Sequence, residues 1–283
     1  RNAGGVGALT IDADGNVVDY RILLEGTTAN CGGGKTPWGT WVSCEEWPGG
    51  KIWQVDPNGV RQAQPITLGS EGGNFESFAY DVRNSTAPRF FVTEDFLNGP
   101  LRRFTPDSAN WDDPWNILYG SGTTDYLVLH EETGTLEWTT DINVARSSAE
   151  LVYPNAEGID VYRGVLYFVS KRKLVLFSLD LDRGTYTSHS TRGGLFDGGP
   201  DQLTRILDDD ELHVVTKFLQ SALGFQSILL RGDYLVVQAD CVTDGDSGFG
   251  DGGQQINRVA LKLFEFGFGL KAIETDGVFD LLL

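Results

Sequence analysis

Three times in this chain a carboxylate opens a short apolar strand, and a second strand follows across a turn. The first unit is Glu76-Ser77-Phe78-Ala79-Tyr80-Asp81 with a partner over 90–95. The second is Glu157-Gly158-Ile159-Asp160-Val161-Tyr162 with a partner over 166–171. The third is Asp201-Gln202-Leu203-Thr204-Arg205-Ile206 with a partner over 212–217. The distance from the carboxylate to the end of the second strand is nearly constant. Small antiparallel sheets repeated at a few tens of residues are the mark of a β-propeller. The expectation is therefore an all-β propeller, six-bladed in plan, formed as a single domain over residues 1–283. The unequal intervals between units keep a β-sandwich as the runner-up.

The rest of the chain reads the same way. Strand-like runs lie at 51–56, 101–104, 164–170, 173–180 and 233–238, punctuated by turns such as Pro57-Asn58-Gly59. Thirty-six glycines suit many tight turns between short strands. Apolar residues at helical spacing with caps are nearly absent, so little helix is expected. Seven Trp, nine Tyr and sixteen Phe can fill a sizeable core.

In a propeller the first strand of each blade lines the central channel, and a residue at its start sits at the channel mouth. Glu76, Glu157 and Asp201 would converge there from different blades. Like charges held close together repel unless a cation lies between them. The recurrence of the three acids points to a metal site rather than to three unrelated capping residues.

A different stretch carries a more specific motif: Asn30-Cys31-Gly32-Gly33-Gly34-Lys35-Thr36-Pro37-Trp38-Gly39-Thr40-Trp41-Val42-Ser43-Cys44-Glu45-Glu46. Thr40 to Ser43 has strand character, and a cysteine with two glutamates at a strand end suits a cation held by oxygen with a sulfur neighbour. This run resembles the signature of the PhoX-type secreted alkaline phosphatases, and the likeness extends in fragments to about Asp201. The resemblance implies a six-bladed propeller carrying calcium and ferric iron at the channel mouth. It implies that Cys44 is the metal-bridging cysteine, and that Glu76 and Glu157 are ligands. Thr93-Glu94-Asp95 is similar to a strand end of that family. Glu45, Glu94 and Asp201 are further candidate ligands. The implied activity is hydrolysis of a phosphoester small molecule, with the cations as Lewis acids. Asn155 stands where the family carries an arginine, Phe75 where it carries a histidine, and no late glutamate segment is matched after Asp201; Asp240 is a substitute for it.

Other readings follow from composition. Forty acidic against 22 basic residues give a net charge of −18, which argues against a nucleic-acid partner. No apolar run approaches the ~20 residues of a membrane helix. Without a signal peptide or any Met, the chain is expected to be a mature or partial segment, and its apolar end suggests that the native chain continues. Asn84-Ser85-Thr86 is a glycosylation sequon, consistent with a secreted or extracellular glycoprotein. Cys31 and Cys44 are either a disulfide pair or leave Cys44 as a ligand, with Cys241 left over. None of the three His stands in a catalytic spacing.

Gly32-Gly33-Gly34-Lys35-Thr36 lacks the earlier glycine of a P-loop and reads as a turn. The acids at 244, 246 and 251 form a loose calcium-loop pattern without the expected glutamate. Trp38, Trp41, Trp47 and Trp53 offer a carbohydrate face or, more simply, packing between blades. The alternative to an enzyme is a non-catalytic calcium-binding extracellular propeller that serves a binding or matrix partner. A lactonase-type propeller with one calcium is a weaker third reading.

Overall fold

A computed structural model describes residues 4–13, 15–192 and 199–203 in full. For 204–205 and the strands that follow, it describes the backbone. Asp240, Cys241, Lys217 and the acids at 244, 246 and 251 lie outside the described residues.

The chain is built of antiparallel sheets in succession. The first unit holds β1 (Gly4–Ile11) and β2 (Val17–Thr27). A second follows with β3 (Asn30–Lys35), β4 (Trp41–Gly50), β5 (Ile52–Val55) and β6 (Gln64–Pro65). The third is β7 (Gly73–Asp81), β8 (Arg89–Glu94), β9 (Arg102–Pro106), β10 (Gly122–His130) and β11 (Thr135–Thr139). After a helix, α1 (Ile142–Val152), come β12 (Ala156–Tyr162), β13 (Val165–Ser170), β14 (Val175–Asp180) and β15 (Thr185–Ser190). The next pair is β16 (Pro200–Arg205) and β17 (Leu212–Thr216). Then come β18 (Phe225–Arg231), β19 (Tyr234–Ala239), β20 (Lys271–Thr275) and β21 (Val278–Leu282).

Within each unit neighbouring strands are joined in order, as hairpins require. The early strand β1 pairs with the late strand β19, giving a sheet in the order β18-β19-β1-β2. The first strands of successive units lie against one another: β3 on β7, β7 on β12, β12 on β16. This is a propeller-like, all-β arrangement, and its sheet paths are open rather than a closed ring.

The sheets pack face to face, so the core lies between units. One apolar cluster joins Val42 and Ile52 to Phe75, Phe78, Phe90 and Phe104. The next joins Phe91, Leu127 and Leu129 to Leu166, Phe168 and Phe177. In it Phe168 stacks on Phe177 at 4.9 Å, and Tyr153 meets Phe168 edge-on at 5.5 Å. The tryptophans do not share a carbohydrate-facing surface: Trp41 is buried, Trp38 and Trp53 pack on different clusters, and Trp47 is exposed.

Two expectations are corrected here. Helix α1 exists although helical periodicity looked absent. Its buried residues Ala145, Ser148, Ala149 and Val152 have helical spacing, but they are small or polar and give little hydropathy signal. Asp141 caps it by accepting from Asn143 N at 2.9 Å, and Ser148 Oγ accepts from Leu129 N at 2.9 Å. The second correction is at Gly32-Gly33-Gly34-Lys35, which is not a turn but strand β3. Its glycines let β3 run close to β7. A Cβ on Gly32 would stand 2.3 Å from Ser77 Oγ, and one on Gly34 would stand 2.2 Å from Phe78 O.

The same crowding recurs at Gly158 in β12, where a Cβ would meet Leu203 N at 2.3 Å and Gln202 Cα at 2.6 Å. Those neighbours are backbone and cannot swing away. Gly158→Ala is expected to destabilise the protein by about 1–3 kcal/mol, read as a lower midpoint of denaturant unfolding. An unchanged midpoint would mean that β12 and β16 do not approach this closely.

Candidate metal centre

Four of the first strands, β3, β7, β12 and β16, start alike. Each pairs with its second strand through one register position, and then the register slips. Asn30 faces Glu45 before the slip in β3–β4. Phe75 faces Glu94 in β7–β8. Ala156 faces Ser170 in β12–β13. Pro200 faces Thr216 in β16–β17. A bulge of this kind bends the strand and re-aims the side chain that follows. The residues that follow on the first strands are Cys31, Glu76, Glu157 and Asp201, all buried. Those that follow on the first three second strands are Glu46, Asp95 and Lys171. A single backbone device, repeated, thus delivers the site residues.

On one side of the cluster a Cys31, a Glu46 and a Glu76 ligand atom lie within 4.8 Å of one another. The Cys31 thiol is in hydrogen-bond contact with both carboxylates. Gln202 Nε2 donates to Glu76 Oε1 at 2.7 Å, and Ser77 Oγ holds Gln202 Oε1 at 3.0 Å. Glu76 Oε2 is buried and has no nitrogen or oxygen partner.

On the other side the Lys171 ammonium pairs with Asp95 Oδ2 at 2.8 Å, with Glu157 Oε1, and with Asp201 Oδ1 at 3.4 Å. Asn155 Nδ2 donates to Asp95 Oδ1 at 2.7 Å. Asn155 has a left-handed backbone (φ 55°), a conformation that asparagine tolerates better than most residues. Thr93 Oγ1 donates to Glu157 O at 2.6 Å and ties β8 to β12.

The electrostatics are those of crowded acids. Burial, then Asp95, pushes the Glu46 carboxyl up from 4.5 to about 7. Burial, then the Glu46 and Asp201 carboxylates, raises Glu76 well above the usual range. Burial and Glu76 do the same to Glu157. Burial also opposes ionisation of Asp95, but Lys171 and Asn155 outweigh it and hold this acid below its usual value. Burial raises the Cys31 thiol, with Glu76 and Glu46 adding to it. A cation among these groups would reverse each upward shift.

Of the residues singled out from sequence, Glu76, Glu157 and Asp201 are brought together. Cys44, Glu45 and Glu94 are placed elsewhere. Cys44 packs with Val42, Ile52 and Phe75 in the apolar core. The Glu45 carboxylate accepts from Thr28 N at 2.6 Å and Lys51 N at 2.7 Å, fastening a loop. Glu94 is paired with the buried Arg102 at 2.7 Å. No disulfide joins Cys31 and Cys44; they face different surroundings, the first the acids and the second the core. Sequence reasoning missed Cys31, Glu46, Asp95, Lys171 and Gln202 as a group. A signal was present: Cys31 precedes Gly32 as Glu157 precedes Gly158, so Asn30-Cys31-Gly32 is a fourth copy of the repeat with sulfur in place of carboxylate.

The family model of alkaline phosphatase PhoX matches residues 3–94, which hold Cys31, Glu46 and Glu76. Over this segment, about a third of its length, the chain is similar to the PhoX family. PhoX of Pseudomonas fluorescens, solved in complex with vanadate, a transition state analogue, is similar in fold, with a TM-score of 0.50 at 15% identity. The match covers 75% of this chain and 60% of that one, so the chain spans well under two thirds of the PhoX structure's length. An auxiliary nutrient binding protein from Bacteroides thetaiotaomicron has a TM-score of 0.42 at 13% identity, covering 69% of this chain and 47% of that one. No curated protein matches the chain. Among the described residues no helix is long and apolar enough to cross a membrane.

The raised Glu46 value sets a pH dependence for the metal-free protein. Between pH 4.5 and about 7 the folded site holds protons that the unfolded chain has released, so stability falls as pH rises through that window. The melting temperature of metal-free protein is expected to be lower at pH 8 than at pH 5, with a smaller loss in Glu46→Gln, where the raised Glu76 and Glu157 carboxyls remain. A melting temperature that rises over this interval would contradict the crowded-acid geometry.

Proposed function

We propose that the chain is a metal-dependent phosphoester hydrolase of the PhoX type, acting outside the cell as one propeller domain of six-bladed plan. The observation that carries this reading is the meeting of Cys31, Glu46 and Glu76 around an orphaned carboxylate oxygen. These residues would hold the cation. Carboxylates suit calcium, and a thiolate adds affinity for a transition metal such as iron. Glu157 and Asp201 stand beside this set, whereas Cys44, Glu45 and Glu94 are assigned to the fold.

When bound, such cations act as Lewis acids that neutralise the phosphoryl oxygens of a phosphoester. The chain's own part is to present ligands in fixed positions. Gln202, held by Ser77, fixes one oxygen of Glu76 and leaves Oε2 buried without a hydrogen-bond partner. The bulges hold Cys31 and Glu76 on strands that cannot shift without breaking the sheet. Cys31 must give up its proton to become a ligand. Asn84 is exposed, with Oδ1 accepting from Thr86 N at 3.1 Å and Thr86 Oγ1 at 2.8 Å. That accessibility fits a glycosylated, secreted protein.

A second reading has its own support. The Asn155 amide is committed to Asp95 and replaces an arginine suited to a bidentate phosphate contact. A calcium-binding extracellular propeller with a binding or matrix partner would keep the metal and lack the reaction.

Hydrolysis of p-nitrophenyl phosphate by protein loaded with calcium and iron separates the two. The enzyme reading expects turnover that a chelator abolishes and that Glu76→Gln lowers by about 100-fold or more. Folded, metal-loaded protein without turnover would overturn it; Glu157→Gln would then lower only thermal stability, as the binding reading expects.

A further inference from the structure

The two halves of the cluster are balanced in different ways. Around Cys31, Glu46 and Glu76 three acidic groups meet within 4.8 Å, and Glu76 Oε2 has no hydrogen-bond partner. Around Asp95 both oxygens have cationic or amide donors: Asn155 donates to Oδ1 and Lys171 to Oδ2, while Glu46 and Glu157 also lie in hydrogen-bond contact with it. The same ammonium reaches Glu157 and Asp201. It therefore stands where the carboxylates of three sheets meet, as a bridging cation would.

We propose that Lys171 is a built-in counter-cation that replaces one metal ion in this centre. The cluster is then divided into a metal-holding half made by Cys31, Glu46 and Glu76 and a lysine-neutralised half made by Asp95, Glu157 and Asp201. Three features support this assignment. Lys171 is delivered by the same repeated bulge as Glu46 and Asp95, so its position is set by the backbone rather than by chance reach. Its backbone N–H donates to Asn155 O at 3.0 Å, which ties it to the residue on the other side of Asp95. A compact ammonium offers three donors and meets three carboxylates. A lysine and a metal ion at one point exclude each other by charge and by volume, so the chain takes one cation fewer than its acids could hold.

The inference rests on the metal reading above, and its test keeps the two apart. Wild type, Lys171→Ala and Lys171→Arg are stripped with chelator, reloaded with calcium and ferric iron, desalted, and counted for metal per chain by elemental mass spectrometry. Circular dichroism establishes that each variant is folded. The expected result is one additional equivalent of metal in Lys171→Ala, with Lys171→Arg equal to wild type. Equal, non-zero counts in all three would overturn the counter-cation role while leaving the metal centre standing. No metal in any of the three would overturn the metal reading and the inference with it.

Discussion

Crowding of negative charge in a place with little water is the constraint on which this structure turns. Two unit charges about 5 Å apart at an effective dielectric of about 20 repel by about 3 kcal/mol, and Glu46, Glu76 and Cys31 lie within 4.8 Å of one another. Protonation relieves part of this, as the raised Glu46 and Glu76 values indicate. Lys171 relieves another part. What is left is repulsion that the fold itself creates, because the acids are not free to move apart.

They are held by strand geometry. Four first strands approach so closely that Gly32 and Gly158 have no room for a side chain. Gln202 of β16 reaches across to Glu76 and Ser77 of β7, and Thr93 of β8 reaches Glu157 of β12. The apolar clusters between sheets, with Phe168 on Phe177 and Phe78 on Phe90, keep the sheets at fixed separation. The acid cluster and the core are therefore one problem: an error in packing between units moves a side chain of the cluster.

Much of this was legible in the sequence because strand periodicity is local. The runs over 90–95, 164–170 and 173–180 lie close to β8, β13 and β14. The repeated opening carboxylate singles out Glu76, Glu157 and Asp201, which the structure holds near one another, since a repeat of sequence is a repeat of position. The cysteine was harder. Cys44 sits beside two glutamates and attracts attention, but alternation along β4 turns it into the core, while the register slip after Asn30 turns Cys31 toward the acids. Neighbouring residues in a strand face opposite sides, so Glu45 and Glu46 part company as well. Lys171 was invisible as a site residue because an isolated lysine after a strand is usually solvated, and only the sheet-to-sheet contact brings it to Asp95 and Asp201.

In the proposed metal centre the sulfur belongs to Cys31. Metal content of Cys31→Ser and Cys44→Ser, expressed and loaded alike and counted per folded chain, tests it directly. Loss of bound transition metal in Cys31→Ser with retention in Cys44→Ser is the result this account predicts. The reverse pattern, or retention in both, would contradict it.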